Sequence, residues 1–107
     1  MADNRRYTRV PFFCEAEISA PPGAESILAR TVDLSRYGVG LIMQKNVSLG
    51  PAEIAFFFAT EAAGLAVERS GGQIVYFLAD EDGNRIGVEF WLPLSDVAHP
   101  RLMQRLE

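Results

Sequence analysis

Three arginines near the start of the chain carry the side chains best suited to bind an anion. Arg5, Arg6 and Arg9 lie within the first nine residues, where Asp3 is the single acidic residue. The planar guanidinium of arginine pairs bidentately with phosphate and with the O6/N7 edge of guanine. This local cluster of arginines can therefore hold a small anion with a few phosphate groups. A frayed, solvated terminal segment is the alternative interpretation.

A second group of polar and small residues follows a predicted strand. Asp33, Ser35 and Gly38 form the pattern D-x-S-x-x-G. Ser35 offers a compact hydroxyl, and Gly38 permits a left-handed or closely approached backbone. A turn capped by side chains would use the same residue types, so the pattern by itself leaves both interpretations open.

The composition limits the class of protein. The chain has 107 residues, 49% of them hydrophobic, and a formal net charge of −4, which is typical of one globular domain with an acidic body. Such a body repels duplex DNA, whose binding depends on many phosphate contacts. No apolar run approaches the roughly 20 residues of a membrane helix, and the first residues do not resemble a secretory signal. The single cysteine, Cys14, fits a reducing compartment, so we expect a cytoplasmic protein.

The motifs of common enzymes and metal sites are incomplete in this chain. Gly38-Val39-Gly40 begins like a dinucleotide-binding fingerprint, but Met43 stands at its third glycine position. One cysteine and one histidine, His99, are too few for a zinc site built on thiolates and imidazoles. Cys14 is expected to be a small buried side chain rather than a reactive thiol, and His99 a surface or helix-entry residue. We therefore expect no catalytic residues, no metal and no cofactor.

Short apolar or alternating segments predict a mainly β protein. The first segment, Val10–Ser19, alternates apolar and polar residues as a half-buried strand does, with Cys14 on the apolar face. The other predicted strands are Ile27–Asp33, Val39–Met43, Ile54–Phe58, Gln73–Leu78 and Ile86–Trp91.

Turn residues separate the predicted strands. Breaks are expected at Ser48–Pro51 and at Gly71-Gly72, and a hairpin loop at Asp80–Asn84. Trp91 and the run Phe56–Phe58 are expected to belong to the core rather than to a surface that stacks on bases.

The end of the chain predicts one short helix. Pro100 fits the first helical position, and Leu102, Met103 and Leu106 would pack that helix against the sheet. Six or seven short strands and a terminal helix favour a small antiparallel barrel or sandwich.

Two motifs in one short chain resemble the paired signatures of the PilZ domain, the bacterial receptor module for cyclic di-GMP. They are Arg5-Arg6-Tyr7-Thr8-Arg9 and Asp33-Leu34-Ser35-Arg36-Tyr37-Gly38. Gln73-Ile74-Val75-Tyr76 is similar to the family's V-V-W strand, and Arg85-Ile86-Gly87-Val88-Glu89-Phe90 to its G-V-x-F strand. The resemblance runs in order along nearly the whole chain. It implies a six-stranded antiparallel β-barrel with a short C-terminal helix, in agreement with the strand count.

The resemblance also implies a role for each arginine of the first motif. Cyclic di-GMP carries two phosphates and two guanines. Arg5 and Arg9 would bind phosphate and the O6/N7 edge of guanine, and Arg6 would bind a further phosphate.

The remaining roles fall on the second motif and on the V-V-W strand. By resemblance, Asp33 would accept hydrogen bonds from N1–H and N2–H of guanine. Ser35 would supply its hydroxyl and Gly38 a closely approached backbone. Tyr76, where the family often has tryptophan, would stack on a base.

The implied protein is a receptor without a catalytic step. We expect a single domain over residues 1–107, with a flexible Arg-rich lead-in over 1–9, the barrel over 10–91 and a helical segment over 95–107. Binding would order the lead-in and present a new surface to an effector protein. Two alternatives stay open: a PilZ-like interaction module that does not bind nucleotide, and a small barrel that binds single-stranded nucleic acid. The net charge of −4 disfavours the last.

Overall fold

A computed structural model describes residues 8–62 and 64–107 of the chain. Seven strands and one helix lie within them, in agreement with the predicted strand count and terminal helix. They are β1 (Val10–Pro11), β2 (Glu15–Ser19), β3 (Ile27–Ser35), β4 (Gly38–Met43), β5 (Gly50–Ala59), β6 (Leu65–Asp80), β7 (Gly83–Phe90) and α1 (Pro100–Arg105).

The strands close into an antiparallel barrel. Six of them follow one another in the order β3, β2, β5, β6, β7 and β4, and a pairing between β3 and β4 completes the ring. The short β1 lies beside the end of β3, where Pro11 pairs with Asp33. The barrel fold that the resemblance implied is therefore confirmed.

The core fills the barrel and extends beneath the C-terminal helix. Leu102 of α1 is fully buried, while Met103 and Leu106 pack against the core from one side, as the sequence predicted. The largest fully buried side chains are Phe56, Ile18, Leu34, Leu41, Ile54, Ile74, Ile86, Leu94 and Leu102. Within the described residues, no helix is long and apolar enough to cross a membrane.

The predicted first strand is interrupted, and the side chain of Thr31 explains the interruption. Pro11 pairs with Asp33, whereas Glu15 pairs with Arg30. Glu15 follows Pro11 by four residues, but Arg30 precedes Asp33 by only three, so the segment between β1 and β2 contains one extra residue opposite β3. The Thr31 hydroxyl lies at this irregularity, where it donates to the Phe12 carbonyl oxygen at 2.7 Å and accepts from the Cys14 N–H at 2.8 Å. A buried side chain thus satisfies the backbone groups that the regular ladder leaves without partners.

Two predicted breaks are wrong in part. β5 already begins at Gly50, inside the expected turn Ser48–Pro51, and β6 runs without interruption through Gly71-Gly72. Both glycines of β6 are covered by other groups. A Cβ on Gly71 would lie 2.9 Å from the Trp91 ring, and one on Gly72 would meet the Glu89 carbonyl oxygen. They mark close packing rather than a turn.

Trp91 and His99 also differ from expectation. Trp91 is 56% exposed and covers Gly71 from outside, so its assignment to the core was wrong, whereas Phe56 and Phe58 are buried as predicted. His99 lies at the entry to α1, as expected, but is buried. Its Nε2 donates to the Arg69 carbonyl oxygen at 2.8 Å, and its Nδ1 accepts from the backbone N–H of Ser95.

The buried carboxylate of Glu68 connects β6 to the start of α1. Its two oxygens accept hydrogen bonds from the backbone N–H groups of Arg101 and Leu102 at 2.9 and 3.0 Å. These N–H groups have no partner inside the helix, so a carboxylate at this end satisfies them and interacts favourably with the helix dipole. The helix is therefore attached to the barrel by both polar and apolar contacts.

We predict that Thr31→Val lowers the free energy of unfolding. Valine has nearly the shape of threonine but leaves the buried Phe12 carbonyl, at a cost of about 1–3 kcal/mol, and the half-buried Cys14 N–H without their hydroxyl partner. Chemical denaturation would measure the loss against Ser26→Ala, which removes an exposed hydroxyl that bonds to Glu17. A valine variant as stable as the natural chain would contradict this role for Thr31.

We predict that the single thiol reacts slowly in the native protein. Burial raises the pKa of Cys14 above its usual value, although the hydrogen bond with Thr31 opposes the shift. A raised pKa leaves less thiolate, the reactive form, near neutral pH. The rate of modification by a disulfide reagent should be lower in the native than in the denatured chain at pH 7.5, and should increase with pH. An equal or faster native rate would refute the prediction.

Candidate functional site

The D-x-S-x-x-G motif forms a tight hairpin between β3 and β4. Ser35 pairs with Gly38 across a two-residue turn. The Ser35 hydroxyl accepts a hydrogen bond from the Tyr37 N–H at 3.1 Å, so the side-chain-capped turn is present. A Cβ on Gly38 would lie 2.5 Å from the carbonyl oxygen of Val88. Gly38 therefore serves for close approach, and its φ is not among the positive values of the described glycines.

Backbone contacts attach this hairpin to the segment after β7. The Leu94 N–H donates to the Arg36 carbonyl oxygen at 2.9 Å, and the Phe90 N–H donates to the Tyr37 carbonyl oxygen at 2.8 Å. The Arg36 Nε in turn donates to the Leu94 carbonyl oxygen at 3.1 Å. Because Leu94 is fully buried, these bonds hold the turn of the hairpin against the core.

Asp33 lies directly after an irregularity in β3 and opposite a glycine of β4. Thr31 pairs with Leu41 and Asp33 with Gly40, so Val32 is an extra residue in β3. Such a bulge bends the strand and changes the direction of the side chains that follow. A Cβ on Gly40 would come within 2.7 Å of Asp33 Oδ1. The carboxylate therefore lies flat against the neighbouring strand, in space that a larger residue would fill.

Tyr76 is positioned in the same way on the other side of the site. Ile74 pairs with Val88 and Tyr76 with Gly87, which leaves Val75 as the extra residue in β6. A Cβ on Gly87 would lie 2.7 Å from two atoms of the tyrosine ring. The ring thus covers Gly87, while 39% of Tyr76 stays exposed.

These pairings place four residues in one row across four strands. Asp33 faces Gly40, Gly40 faces Gly87, and Gly87 faces Tyr76. Three strand spacings separate the ends of the row, a distance of about 14 Å between Asp33 and Tyr76. The glycines in the middle form a floor without side chains between an acidic and an aromatic end.

An open pocket of about 330 Å³ lies over this region. It brings together four residues that the sequence predicted as binding residues, namely Arg9, Ser35, Gly38 and Tyr76. Asp33 does not line the pocket, but its Oδ1 accepts from Arg9 Nη1 at 2.7 Å, so it lies one contact away. The predicted binding residues Arg5 and Arg6 lie outside the described residues.

Several residues of the site did not follow from the sequence. Gly40 and Gly87 are glycines paired with Asp33 and Tyr76, and the signal that could have identified them was a glycine inside an otherwise apolar strand. The pocket is also lined by Tyr37, Val75, Gly87, Val88 and Glu89.

The charges at this pocket suit an anion at one end. Arg9 is the one cationic residue that lines it within the described part of the chain. The side chains of Arg9 and Asp33 are 45% and 37% exposed, and an ion pair this exposed contributes only about 0–1 kcal/mol to stability. A bound anion could therefore recruit the guanidinium at low cost, since four of its five N–H donors lie outside that contact.

A larger pocket, of about 420 Å³, lies elsewhere on the barrel. Glu17, Ser19, Glu53 and Arg69 contribute to its lining, and it shares no lining residue with the first pocket. Across residues 8–62 and 64–107 there is no group of three or more His, Cys, Asp or Glu side chains that could hold a metal ion. The predicted binding residues therefore point to the smaller pocket.

Three solved structures share the fold over nearly the whole chain. The PilZ domain of YcgR from Escherichia coli, solved with c-di-GMP, superposes with a TM-score of 0.68 at 16% identity and covers 96% of this chain and 88% of that one. The inhibitor of motility MotI/DgrA of Bacillus subtilis superposes with a TM-score of 0.72 at 13% sequence identity. The match covers 95% of this chain and 49% of that one. PlzA of Borreliella burgdorferi, solved in complex with c-di-GMP, superposes with a TM-score of 0.63 at 12% sequence identity. The match covers 96% of this chain and 52% of that one.

The present chain thus spans about half the length of MotI/DgrA and of PlzA. No curated protein sequence matches it significantly. The sequence profile of the PilZ domain, however, matches residues 3–106, which is nearly the entire chain. With this match and the closed six-stranded barrel, the chain belongs to the PilZ domain family.

Proposed function

We propose that this PilZ domain is a receptor for cyclic di-GMP that has no catalytic step and signals through a change in its N-terminal arginine segment. One observation carries the proposal. Arg9, Ser35, Gly38 and Tyr76, which come from three separate parts of the sequence, line a single pocket on the barrel. Two structural neighbours, the PilZ domain of YcgR and PlzA, were solved with this ligand.

In the proposed complex, the arginine segment binds the phosphates. Arg9 already lies at the pocket, held by Asp33 through a single 2.7 Å contact. Its guanidinium can form charge-assisted bonds with a phosphate, which are stronger than bonds between neutral groups. Arg5 and Arg6 would add further contacts from the same segment.

Tyr76 supplies a surface for one guanine. Its ring covers Gly87 and keeps an exposed side toward the pocket. Stacking of a base on an aromatic side chain contributes about 1–3 kcal/mol. Gly38, whose backbone already packs closely against β7, leaves the pocket wall beside this base free of a side chain.

The proposed output is a new surface for an effector protein. Residues 1–9 would change conformation as their arginines bind phosphate, and such order–disorder changes are a common switching device. The segment directly precedes β1, which begins at Val10 and pairs with β3, so a change at Arg9 would occur beside the barrel. We place this signalling in the cytoplasm, where a protein with one cysteine keeps its thiol reduced.

A PilZ-type interaction module that binds no nucleotide is the second candidate. Two contacts within the site favour it, because Ser35 already caps its own turn and Asp33 already holds Arg9. Both motif residues thus have roles in the protein without ligand. Titration with cyclic di-GMP separates the two candidates.

We predict that Arg9→Ala weakens binding of cyclic di-GMP by about 2 kcal/mol, roughly 30-fold, because a charge-assisted contact is lost. Arg5→Ala should have a similar effect. Calorimetric titration would measure both, with GTP and cyclic di-AMP as competing ligands. Arg69→Ala is the matched control, since this exposed arginine lines the other pocket. Unchanged affinity in both variants would refute the receptor assignment.

We predict that Tyr76→Ala weakens binding of cyclic di-GMP by about 1–3 kcal/mol. Tyr76→Phe keeps the ring, so its affinity should be close to that of the natural chain. The comparison isolates stacking from any hydrogen bond of the phenol group. Thermal unfolding of the same samples would show whether both variants keep the fold, since the ring also covers Gly87. Equal losses in the two variants would contradict a stacking role.

A further inference from the structure

One carboxylate lines the candidate pocket within the described residues, and neither binding motif contains it. Glu89 lies on β7, exposed to solvent, and contributes to the same wall as Tyr76 and Gly87. Asp33, the acceptor that the family motif suggests for guanine, does not line this pocket, and its Oδ1 holds Arg9. Glu89 is therefore the carboxylate that a base inside the pocket would meet.

The register of β7 places Glu89 beside the tyrosine ring. Gly87 and Glu89 are two residues apart on one strand, so they share a face and lie about 7 Å from each other. The Tyr76 ring covers Gly87. A planar base that stacks on this ring would consequently have one edge next to the Glu89 carboxylate.

The neighbours of Glu89 leave its carboxylate accessible. It pairs with Gly38 across β4 and with the exposed Gln73 across β6, so one neighbour has no side chain and the other is neutral. Among residues 8–62 and 64–107, no hydrogen bond or ion pair of the kind that holds Asp33 engages this carboxylate. Nothing in the described part of the chain therefore competes with a ligand for it.

The chemistry of guanine matches a carboxylate at this position. The Watson–Crick edge of guanine presents two adjacent donors, N1–H and N2–H, and a carboxylate accepts from two donors at once. Adenine presents an acceptor, N1, at the corresponding place and would be repelled. A phosphate would also be repelled by Glu89, which favours the orientation with phosphate at Arg9 and base edge at Glu89.

We propose that Glu89 determines specificity by accepting hydrogen bonds from the Watson–Crick edge of one guanine of the ligand. This inference rests on the proposed function and assigns the base-reading group of that same site. It makes the pocket a guanine subsite with three parts: the Tyr76 ring below the base, Glu89 at its edge and Arg9 toward the phosphate.

The test is calorimetric titration of the whole chain with cyclic di-GMP, cyclic di-IMP and cyclic di-AMP. Inosine keeps N1–H but lacks the 2-amino group, so the natural chain should bind the three ligands in that order of decreasing affinity. Glu89→Gln should reduce the preference for cyclic di-GMP over cyclic di-AMP by about tenfold or more, since an amide pairs with adenine as well as with guanine. The same variant should also reduce the difference in affinity between cyclic di-GMP and cyclic di-IMP.

Two further variants separate base reading from charge. Glu89→Asp keeps the charge but shortens the reach, and should lose selectivity for guanine as well. Glu53→Gln removes a carboxylate from the other pocket and should leave all three affinities unchanged. Glu89 is exposed, so the variants are expected to fold, and circular dichroism would verify this.

Each outcome decides the question. If Glu89→Gln increases the affinity for all three ligands equally, Glu89 acts only by repelling phosphate and the inference is overturned. If selectivity for guanine is unchanged in both Glu89 variants while the natural chain binds cyclic di-GMP, the inference fails but the receptor function stands. If the natural chain binds none of the ligands, the function and the inference fall together.

Discussion

The site depends on close packing of side chains over glycines on the outside of the barrel. Asp33 and Tyr76 each follow an extra residue in a strand, and each then lies over a glycine of the neighbouring strand, Gly40 or Gly87. A Cβ at either glycine would collide with the side chain above it. Backbone geometry therefore positions the carboxylate and the ring, and the hydrogen bond from Arg9 adds a side-chain contact at Asp33.

This arrangement gives the pocket its polarity. Arg9 reaches it from the start of the described chain and is held by Asp33, whereas Glu89 lies on β7 beside the tyrosine. In the proposed complex, a phosphate would lie at Arg9 and the edge of a guanine at Glu89. The turn of the hairpin beside the pocket is attached through Arg36 to the buried Leu94.

The sequence predicted the fold class and the packing of the C-terminal helix, because alternating apolar residues are a local signal, and its motifs included four residues that line one pocket. It did not predict that Gly71-Gly72 lies within a strand or that Trp91 is exposed, since both depend on which strands become neighbours. Thr31 interrupts the first strand through a contact between distant residues. Glu89 was missed for the same reason: its place beside Tyr76 follows from strand register, which two bulges determine. Register over such irregularities is a property of the closed barrel.

The central claim is that cyclic di-GMP binds in the pocket lined by Gly38 and Gly87, beside the neighbouring Gly40. Nuclear magnetic resonance of the ¹⁵N-labelled chain tests it most directly, because amide signals of glycine are well separated from most others and report on their surroundings. Saturating ligand should shift the signals of these three glycines and of Glu89, and leave those of Glu53 unchanged. Shifts confined to the surface around Glu53, or no shifts at all in a folded sample, would contradict the account.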